Sequence, residues 1–220
     1  MKGNDVCCDC LAPDPEWASI NLGTVICVHC SSVHRQLGTH ISRIKSLELD
    51  EWTILQLSLV SSIGNNLARS VWEATSELNG YAPPDYACCT RKVRETWIRL
   101  KYEERAFLRN VYKDTNLLRE KLISSVERGD LQDVYSLLPY CTPEVLNYQD
   151  PTNKQTVLHT SVIADSSLIA LLLVWNHIDS QLEDTHGKRA IEYAHSPLCD
   201  VLAHLTSACP IHPIKSFVAV

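Results

Sequence analysis

Apolar residues along the chain recur mainly at the spacing of helices that bury one face. Over residues 52–74, apolar positions fall at near-helical intervals, at Leu55, Leu59, Ile63, Leu67 and Val71. Gly64-Asn65 interrupts this run, so we predict two helices there rather than one. Arg91–Val111 carries a second strongly helical pattern, which predicts a helical segment over that range.

Before residue 52 the pattern is shorter and less regular. Ser31–Leu37 predicts one short helix that ends at Gly38, because glycine is favoured just after a helix. His40–Leu49 alternates loosely between apolar and polar positions and predicts a short strand. These elements predict a compact module over residues 4–50. The Pro- and Gly-containing segment Asn79–Thr90 predicts a loop.

The later part of the chain carries a weak internal repeat. The segment Thr156–Ser161 is followed by the apolar helical stretch Leu168–Trp175, and a related segment, Arg189–Ala194, begins 33 residues after Thr156. A period near 33 and an element similar to Thr-Pro-Leu-His-x-Ala resemble ankyrin repeats, although Ser161 stands where that family has Ala. The alternative is a helical domain of no specific type. Within a repeat, His159 would be a structural hydrogen-bonding residue rather than a catalyst.

Charge is distributed unevenly along the chain. The 220 residues suit one large or two small domains. Residues 1–113 hold 13 basic and 13 acidic residues, whereas residues 114–220 hold 7 basic and 13 acidic and carry the whole net charge of −6. We therefore expect a junction near Lys113–Asn116. The 45% hydrophobic fraction excludes wholesale disorder, and the lack of a basic surplus argues against nucleic-acid binding.

Five of the ten cysteines lie within the first 30 residues. The opening residues lack the apolar core of a secretory signal peptide, so a disulfide scaffold is not expected. The longest apolar run, Leu168–Trp175, has eight residues, whereas a membrane-spanning helix needs about 20. We expect an intracellular protein with reduced thiols, some of them bound to metal.

Two Cys-x2-Cys pairs, separated by sixteen residues, form a metal-binding signature made of Cys7, Cys10, Cys27 and Cys30. Four thiolates close a tetrahedral shell that suits zinc, and a closed shell leaves no position for water, so we predict a structural zinc ion. Cys8 is expected to be a small buried thiol instead, because only one residue separates it from Cys10. His29 and His34 could ligate zinc, but we expect them to be helix residues or to surround the site.

The sequence around these cysteines narrows the interpretation. Trp17–Gly23 stands between the two pairs, and Ser31–His40 and Ile41–Asp50 follow directly. These segments strongly resemble the ArfGAP family, the zinc-finger GTPase-activating proteins for Arf small GTPases, and the resemblance covers residues 4 to about 110. The ankyrin-like region downstream is similar to members of the ACAP and AGAP type. Ser32 departs from the family pattern, in which many members have Gly.

The resemblance implies a fold in two parts. An α+β zinc-finger ArfGAP module, in which helices surround a small sheet, is expected over residues 1–113. An all-α ankyrin-repeat solenoid of about three degenerate repeats is expected over residues 114–220. The implied cofactor is one structural zinc ion.

The resemblance also assigns a catalytic role to one arginine. Arg35 occupies the arginine-finger position of the family's Cys-x2-Cys-x4-Arg segment, which runs here from Cys27 through Cys30. Such an arginine enters the nucleotide site of a partner GTPase and neutralises charge on the phosphoryl oxygens. Without the surrounding motif, Arg35 would be interpreted as a solvated helix arginine.

Three further residues match the family's partner-binding surface. Trp17 matches a tryptophan of the active surface, and its alternative role is packing over the zinc module. Leu49 and Asp50 match a Leu-Asp pair near the GTPase contact surface, although Asp50 could instead cap the helix that begins near Trp52. Arg43 and Lys45 are expected to be solvated charges, and the alternative is contact with the GTPase or with a membrane surface.

The implied function is stimulation of GTP hydrolysis on a GTP-bound Arf-family GTPase, in the regulation of membrane trafficking. The chain would supply an arginine in trans and would not be an enzyme by itself, since no glycine-rich phosphate loop precedes a lysine. The alternative is a non-catalytic zinc-finger and ankyrin scaffold for protein interactions. A nucleic-acid-binding zinc finger is disfavoured by the charge distribution.

We expect a cytoplasmic protein that is peripheral on membranes in its full-length form. The first zinc ligand follows only six residues of sequence, and no lipid-binding domain is recognisable, so we expect a fragment of a longer protein. Contact with a membrane surface would then come from flanking domains. Other protein partners are expected through the ankyrin repeats.

Overall fold

A computed structural model describes residues 3–195. Within that range three short strands form one sheet, and they span Trp17–Ser19 (β1), Thr24–Ile26 (β2) and Ile44–Ser46 (β3). The α-helices span Val28–Leu37 (α1), Ile54–Trp72 (α2), Arg91–Ile98 (α3), Thr115–Glu127 (α4), Leu131–Leu137 (α5), Pro143–Leu146 (α6), Val157–Ile163 (α7) and Ser167–Trp175 (α8). None of these helices is long and apolar enough to cross a membrane.

The sheet is antiparallel and β1 is its central strand. The strand order is β2-β1-β3, and Trp17 pairs with Ile26 on one side and with Ser46 on the other. The loosely alternating segment His40–Leu49 therefore does contain a strand, as its pattern predicts. The small sheet with helices around it confirms the predicted architecture of the first module.

Helix α1 begins directly after Cys27 and so begins earlier than Ser31, the first residue of the predicted helix. It ends at Gly38, as predicted, and the φ of 88° there is one that residues with a Cβ rarely adopt. Val33 and Leu37 face the core and are almost fully buried. Consequently the N-terminal end of α1 is attached to the second cysteine pair.

Helix α2 is interrupted at Gly64, where φ is 67° and ψ is 166°, so the predicted division into two helices is confirmed. The break turns the side chain of Asn65 toward β2. There it accepts a hydrogen bond from the Val25 N–H (2.9 Å) and donates to the carbonyl oxygens of Val25 (2.9 Å) and Val6 (2.7 Å). Asn65 thus satisfies backbone groups of the edge strand β2 and of Val6, which are costly to bury unpaired.

The prediction of helix throughout Arg91–Val111 is wrong beyond residue 103. Helix α3 ends at Ile98, one π-helical turn follows at Arg99–Glu103, and Arg105 has a left-handed φ of 55°. Phe107 then becomes fully buried, with its ring 5.0 Å from that of Trp97. Burial of this aromatic ring explains why the chain leaves the helix, since tertiary packing overrides local helical preference.

Residues 115–175 form a helical layer. Helix α4 packs against α5 and α7, and α7 packs against α8, while α2 of the first module contacts both α5 and α8. Thr156 caps α7, and its backbone N–H donates to the His159 ring in return. The predicted apolar helical stretch Leu168–Trp175 lies within α8. Its side chains Leu171, Leu172 and Leu173 are completely buried.

One buried apolar cluster connects the two parts of the chain. Hydrogen bonds also join the two parts, because the Tyr135 hydroxyl donates to the carbonyl oxygen of Leu22 (2.8 Å) and accepts from Trp72 Nε1 (3.1 Å). The segments near the ends of α1 and α8 are also joined, because a ring nitrogen of His177 lies 3.0 Å from the His40 carbonyl oxygen. The helical layer therefore supports the sheet module directly.

The predicted third ankyrin copy falls largely outside the described residues. A 3-10 turn, Ala190–Tyr193, belongs to that copy, whereas the apolar positions Val201, Leu202 and Leu205 lie beyond residue 195. Identification of the helical layer as an ankyrin solenoid therefore stays a prediction.

Candidate functional site

Four buried thiols lie together beside the sheet, and they belong to Cys7, Cys10, Cys27 and Cys30. Their sulfur atoms all lie within 4.8 Å of one another, and those of Cys10 and Cys27 are 3.6 Å apart. A tetrahedral zinc ion with Zn–S bonds of about 2.3 Å holds its sulfurs about 3.8 Å apart. The donor set and its spacing therefore fit a tetrahedral metal ion, and these residues are positioned to bind one.

The local backbone explains how each pair converges. A tight turn joins the first pair, in which the Cys7 N–H donates to the Ala12 carbonyl (2.7 Å) and Leu11 adopts a φ of 62°. In the second pair, Cys27 precedes α1 and Cys30 lies in its first turn. The positive end of the helix macrodipole there favours negatively charged thiolates.

Cys8 is not part of this cluster. Its sulfur is fully buried and lies 3.7 Å from Lys101 Nζ and 3.8 Å from the Tyr102 hydroxyl. Burial raises the pKa of the Cys8 thiol to about 11. The expectation of a small buried thiol at this position is confirmed.

Arg35 lies on α1, one helical turn beyond Cys30, and is exposed to solvent. Its guanidinium carbon stands 4.3 Å from the centroid of the Trp17 ring, a cation–π geometry. Trp17 is half-buried on the central strand β1, in the segment between the two cysteine pairs. The side chain of Trp17 thus both packs on the module and carries the arginine on its ring.

The turn after β3 lies next to this pair. Trp17 is opposite Ser46 in the sheet, and the Ser46 N–H donates to Asp50 Oδ2 (2.6 Å). The Leu49 N–H donates in turn to the Ser46 hydroxyl (3.1 Å), which leaves the Leu49 side chain 83% exposed. The structure therefore brings Arg35, Trp17, Leu49 and Asp50 to one region of the surface.

A chain of buried polar side chains connects the thiol site to α1. Asp9 lies between the cysteines of the first pair and is fully buried, and its Oδ2 is 2.8 Å from His34 Nε2. His34 Nδ1 is 2.8 Å from the Ser42 hydroxyl, which is itself 2.8 Å from the Ser19 hydroxyl on β1. We refer to Asp9, His34, Ser42 and Ser19 as the buried polar chain.

The other carboxylate oxygen of Asp9 is also hydrogen-bonded. Asp9 Oδ1 accepts from Lys101 Nζ (3.0 Å) and from the Tyr102 hydroxyl (2.9 Å), and Lys101 also donates to Glu73 Oε1 (2.6 Å). Burial alone would raise the pKa of Asp9, but Lys101 and His34 hold it below its ordinary value. The carboxylate therefore stays ionised and keeps accepting from all its partners.

The sequence profile described as "Putative GTPase activating protein for Arf" matches residues 1–111, about half of the chain. This match covers the four thiols, the arginine on α1 and the turn after β3. The chain belongs to the ArfGap family.

Relatives within the ArfGap family extend over different lengths of the chain. The ARF GTPase-activating protein GIT2 of mouse is 34% identical over 205 residues, which cover 88% of this chain and 29% of that protein. The human Arf-GAP with coiled-coil, ANK repeat and PH domain-containing protein 3 is 46% identical over 109 residues, 50% of this chain and 13% of that protein. The chain thus spans less than a third of either relative.

Two solved structures are similar to part of the chain. The solution structure of the ArfGap domain of human RIP is 22% identical, with a TM-score of 0.44, and the match covers 49% of this chain and 78% of that one. A protein from Cryptosporidium parvum, described as a "putative GTPase activating protein for ADP ribosylation factor", is 38% identical, with a TM-score of 0.32, and the match covers 34% of this chain and 59% of that one.

Two alternatives from the sequence are wrong in this ArfGap module. Asp50 does not cap α2, because the cap is Thr53, whose hydroxyl accepts from the Gln56 N–H while the Gln56 side chain accepts from the Thr53 N–H. Lys45 is not a freely solvated charge, because its Nζ donates to Gln56 Oε1 (3.0 Å) and to the Glu51 carbonyl. These contacts use Asp50 and Lys45 to fix the turn after β3.

Sequence reasoning missed most of the buried polar network around Asp9. Asp9 and Lys101 are 92 positions apart, so no local spacing indicates that they meet. The only available signals were an aspartate inside a Cys-x2-Cys pair and a histidine beside Arg35 on a short helix. His34 proves to be a fully buried helix residue whose ring nitrogens bond to Asp9 and Ser42, whereas His29 is exposed.

Proposed function

We propose that this chain is a GTPase-activating protein for Arf-family GTPases and that Arg35 is the catalytic residue it supplies. The observation that carries the proposal is the position of Arg35, exposed on a helix whose first turn belongs to the thiol site and stacked on Trp17. Family membership gives this position its meaning, because the shared activity in the names of the relatives is GTPase activation.

The chemistry requires an arginine at this place. Charge that builds on the phosphoryl oxygens during GTP hydrolysis is poorly neutralised in a GTPase alone, and an inserted arginine accelerates hydrolysis by about 10³–10⁵-fold in comparable systems. A planar guanidinium can donate to two phosphate oxygens at once, whereas an ammonium group acts as a point charge. An exposed cation–π contact contributes only about 0.5–1 kcal/mol, so Arg35 can leave Trp17 at little cost.

We infer that the metal held by the four thiols is a single structural zinc ion. Four soft thiolates in a tetrahedral arrangement favour zinc over magnesium or calcium, and a complete shell leaves no open position for substrate. The zinc ion would fix Cys27 and Cys30, and so the start of α1, without contacting the nucleotide. The chain is then an activator that completes the active site of its partner rather than an enzyme with its own substrate site.

Trp17, Leu49 and Asp50 are proposed as the partner-binding residues around Arg35. Leu49 is almost fully exposed, and an apolar side chain at such a position loses unfavourable contact with water when a partner covers it. Asp50 fixes the turn that presents Leu49, through its bond to the Ser46 N–H. The GTP-bound Arf protein would therefore cover the region from Arg35 to this turn.

For the rest of the chain we propose an ArfGAP domain over residues 1–113 and an ankyrin-repeat domain over 114–220. The pairing of α4 with α5 and of α7 with α8 supports helix-pair repeats. Further support comes from Thr156 and His159, which bond to each other at the start of α7. The second nitrogen of His159 lies 3.1 Å from the Lys188 carbonyl of the following segment.

We further propose a role in membrane trafficking, with the protein in the cytoplasm and peripheral on membranes when full-length. Arf-family partners and ArfGAP relatives whose names include a PH domain support this assignment. Membrane contact would come from regions outside this chain, and the ankyrin repeats would bind other proteins. The competing proposal is a scaffold that binds an Arf protein without accelerating hydrolysis.

Single-turnover GTP hydrolysis by a panel of Arf proteins, with and without lipid vesicles, separates these two proposals. The wild-type chain is expected to accelerate hydrolysis, and Arg35→Ala to reduce that stimulation by about 10³–10⁵-fold while zinc content stays constant. Arg35→Lys is expected to restore little, because it lacks the bidentate geometry.

Arg119→Ala is the matched control for this experiment. Arg119 also stacks on an aromatic ring, with its guanidinium carbon 4.1 Å from the Tyr148 ring centroid, but it lies on α4. Its loss is expected to leave stimulation unchanged. Normal stimulation by Arg35→Ala would refute the arginine-finger assignment, and binding of every Arf without hydrolysis would favour the scaffold.

A further inference from the structure

The geometry points to His34 and Ser42 as positioning residues for Arg35. These two residues hold α1, the helix that carries Arg35, in one rotation about its axis between the thiol site and the sheet. The effect that this inference predicts on the rate of GTP hydrolysis rests on the proposed function. The effect that it predicts on the structure concerns only where the Arg35 side chain lies.

The contacts that carry it engage both nitrogens of one imidazole ring. His34 Nε2 is 2.8 Å from Asp9, which lies inside the first cysteine pair, and His34 Nδ1 is 2.8 Å from the hydroxyl of Ser42. His34 is fully buried and Ser42 is 2% exposed, so water does not compete for either bond. The ring therefore attaches α1 to two separate parts of the module.

The far end of the buried polar chain reaches the strand that carries Trp17. The Ser42 hydroxyl is 2.8 Å from that of Ser19, and Ser19 and Trp17 lie on the same three-residue strand, β1. The same contacts therefore fix the position of α1, which carries the Arg35 guanidinium, relative to β1, which carries the Trp17 ring. Arg35 directly follows His34, so a rotation of α1 moves both residues.

Catalysis by an inserted arginine depends on placement within a fraction of an ångström. A misplacement of about 1 Å can cost about 100-fold in rate, even from a substitution far from the chemistry. The zinc ligands fix only the first turn of α1, through Cys27 and Cys30. The contacts of His34 add a second fixed point immediately before Arg35, and two fixed points define the rotation of a helix.

Ser42→Ala tests this directly, because it removes one hydroxyl and leaves the thiol site, Asp9 and the ring of His34 in place. The maximal single-turnover rate of GTP hydrolysis at saturating activator is expected to fall about tenfold or more. The half-saturating activator concentration and the zinc content are expected to stay at wild-type values. This split separates misplacement of Arg35 from weaker binding of the partner.

Two further variants keep the experiment interpretable. His34→Gln retains a polar group near the Nε2 position but none near Nδ1, so it is expected to reproduce the effect of Ser42→Ala. Ser161→Ala is the matched control, since Ser161 is also a fully buried serine, bonded to the Leu158 carbonyl on α7. It is expected to leave rate and half-saturation unchanged.

A spectroscopic signature tests the placement without any GTPase. The Arg35 guanidinium lies over the Trp17 ring, so the ring current shifts its Nε–H proton resonance upfield. Ser42→Ala and His34→Gln are expected to move this resonance toward its position in an unstructured peptide, and Ser161→Ala to leave it in place.

The outcomes distinguish the two levels of inference. If the wild-type chain stimulates no Arf protein, the proposed function fails and the Arg35 resonance alone decides the positioning role. If the Arg35 Nε–H resonance in Ser42→Ala stays at its wild-type position, the positioning role is overturned, whatever the rate. Loss of zinc from Ser42→Ala also overturns it, because the chain of contacts would then serve the stability of the module rather than the setting of Arg35.

Discussion

The region from Cys7 to Asp50 and the helical layer over residues 115–175 are stabilised by different chemistry. The first has short strands and one helix, and its fully buried groups include polar side chains at Asp9, Ser19, His34 and Ser42. The second is built mainly on aliphatic contacts, with Leu171, Leu172 and Leu173 completely buried on α8, and the buried polar pair Thr156 and His159 lies at the start of α7. The exposed arginine with an aromatic platform next to the thiol site lies on the first region.

This difference shows what each kind of stabilisation is suited to. Apolar packing is non-directional, so it holds helices together without fixing the direction of any polar group. Metal–thiolate bonds and buried hydrogen bonds are directional, so a metal ion on the four thiols together with the buried polar chain would fix the orientation of α1 relative to β1. A surface that must present one cation in a defined direction benefits from directional bonds. The helical layer packs against this module and supports it through apolar contacts.

Removal of the metal is the largest perturbation that this comparison predicts. Structural zinc contributes about 10–16 kcal/mol of apparent binding free energy in small zinc modules, and that energy is lost on chelation. Amide hydrogen exchange is expected to lose protection across α1 and the sheet, while α4, α5, α7 and α8 keep theirs. Exchange measured by mass spectrometry before and after chelation checks this, and equal loss in both regions would contradict it.

A pair of cysteine variants provides the control for metal removal. Cys30→Ser removes one thiol of the site and is expected to reproduce the local loss of protection. Cys88→Ser removes an exposed thiol outside the cluster and is expected to change neither protection nor metal content. A similar effect of both variants would show that thiol loss, rather than metal loss, causes the opening.

A cavity in the helical layer is expected to have the next largest effect. Leu172→Ala on α8 removes a completely buried side chain and is expected to lower the free energy of unfolding by about 2–5 kcal/mol. Metal content is expected to stay at wild-type level, because Leu172 is on α8 and none of the four thiols belongs to that helix. Urea unfolding together with metal analysis checks both points.

Ile163→Ala on α7 is the matched control for this cavity. Ile163 is 51% exposed, so its loss is expected to change the free energy of unfolding by less than about 0.5 kcal/mol. If Leu172→Ala released the metal as readily as it lowered stability, the thiol site would depend on packing in the helical layer rather than on its own local contacts.

The elements that sequence patterns predict well are those governed by local rules. The break at Gly64 and the end of α1 at Gly38 follow from glycine's backbone freedom, and the four-thiol site follows from cysteine spacing. Each is encoded within a few neighbouring residues. Assignment to the ArfGap family likewise depended on contiguous segments around those cysteines.

The features that sequence patterns miss depend on contacts between distant segments. The helical pattern fails after Glu103 because Phe107 enters the core beside Trp97, and no local signal predicts that burial. Lys101 looks like an ordinary helix lysine, yet it is completely buried against Asp9. The stacking of Arg35 on Trp17 also joins a helix to a strand, so only the folded chain brings the two together.

The smallest predicted effect concerns the contact that joins the two regions. Tyr135→Phe removes a hydroxyl that donates to the Leu22 carbonyl and accepts from Trp72 Nε1, and it leaves both partners buried without that bond. A lost partner of this kind costs about 1–3 kcal/mol, so the free energy of unfolding is expected to fall by that amount.

Tyr86→Phe, at a 51% exposed position, is expected to have no measurable effect in the same urea titration. Because Leu22 follows β1 and Trp72 ends α2, the Tyr135 substitution is also expected to increase hydrogen exchange at the sheet while α4 and α7 stay protected. Exchange that rose only in the helical layer would instead show that Tyr135 stabilises its own layer and not the junction.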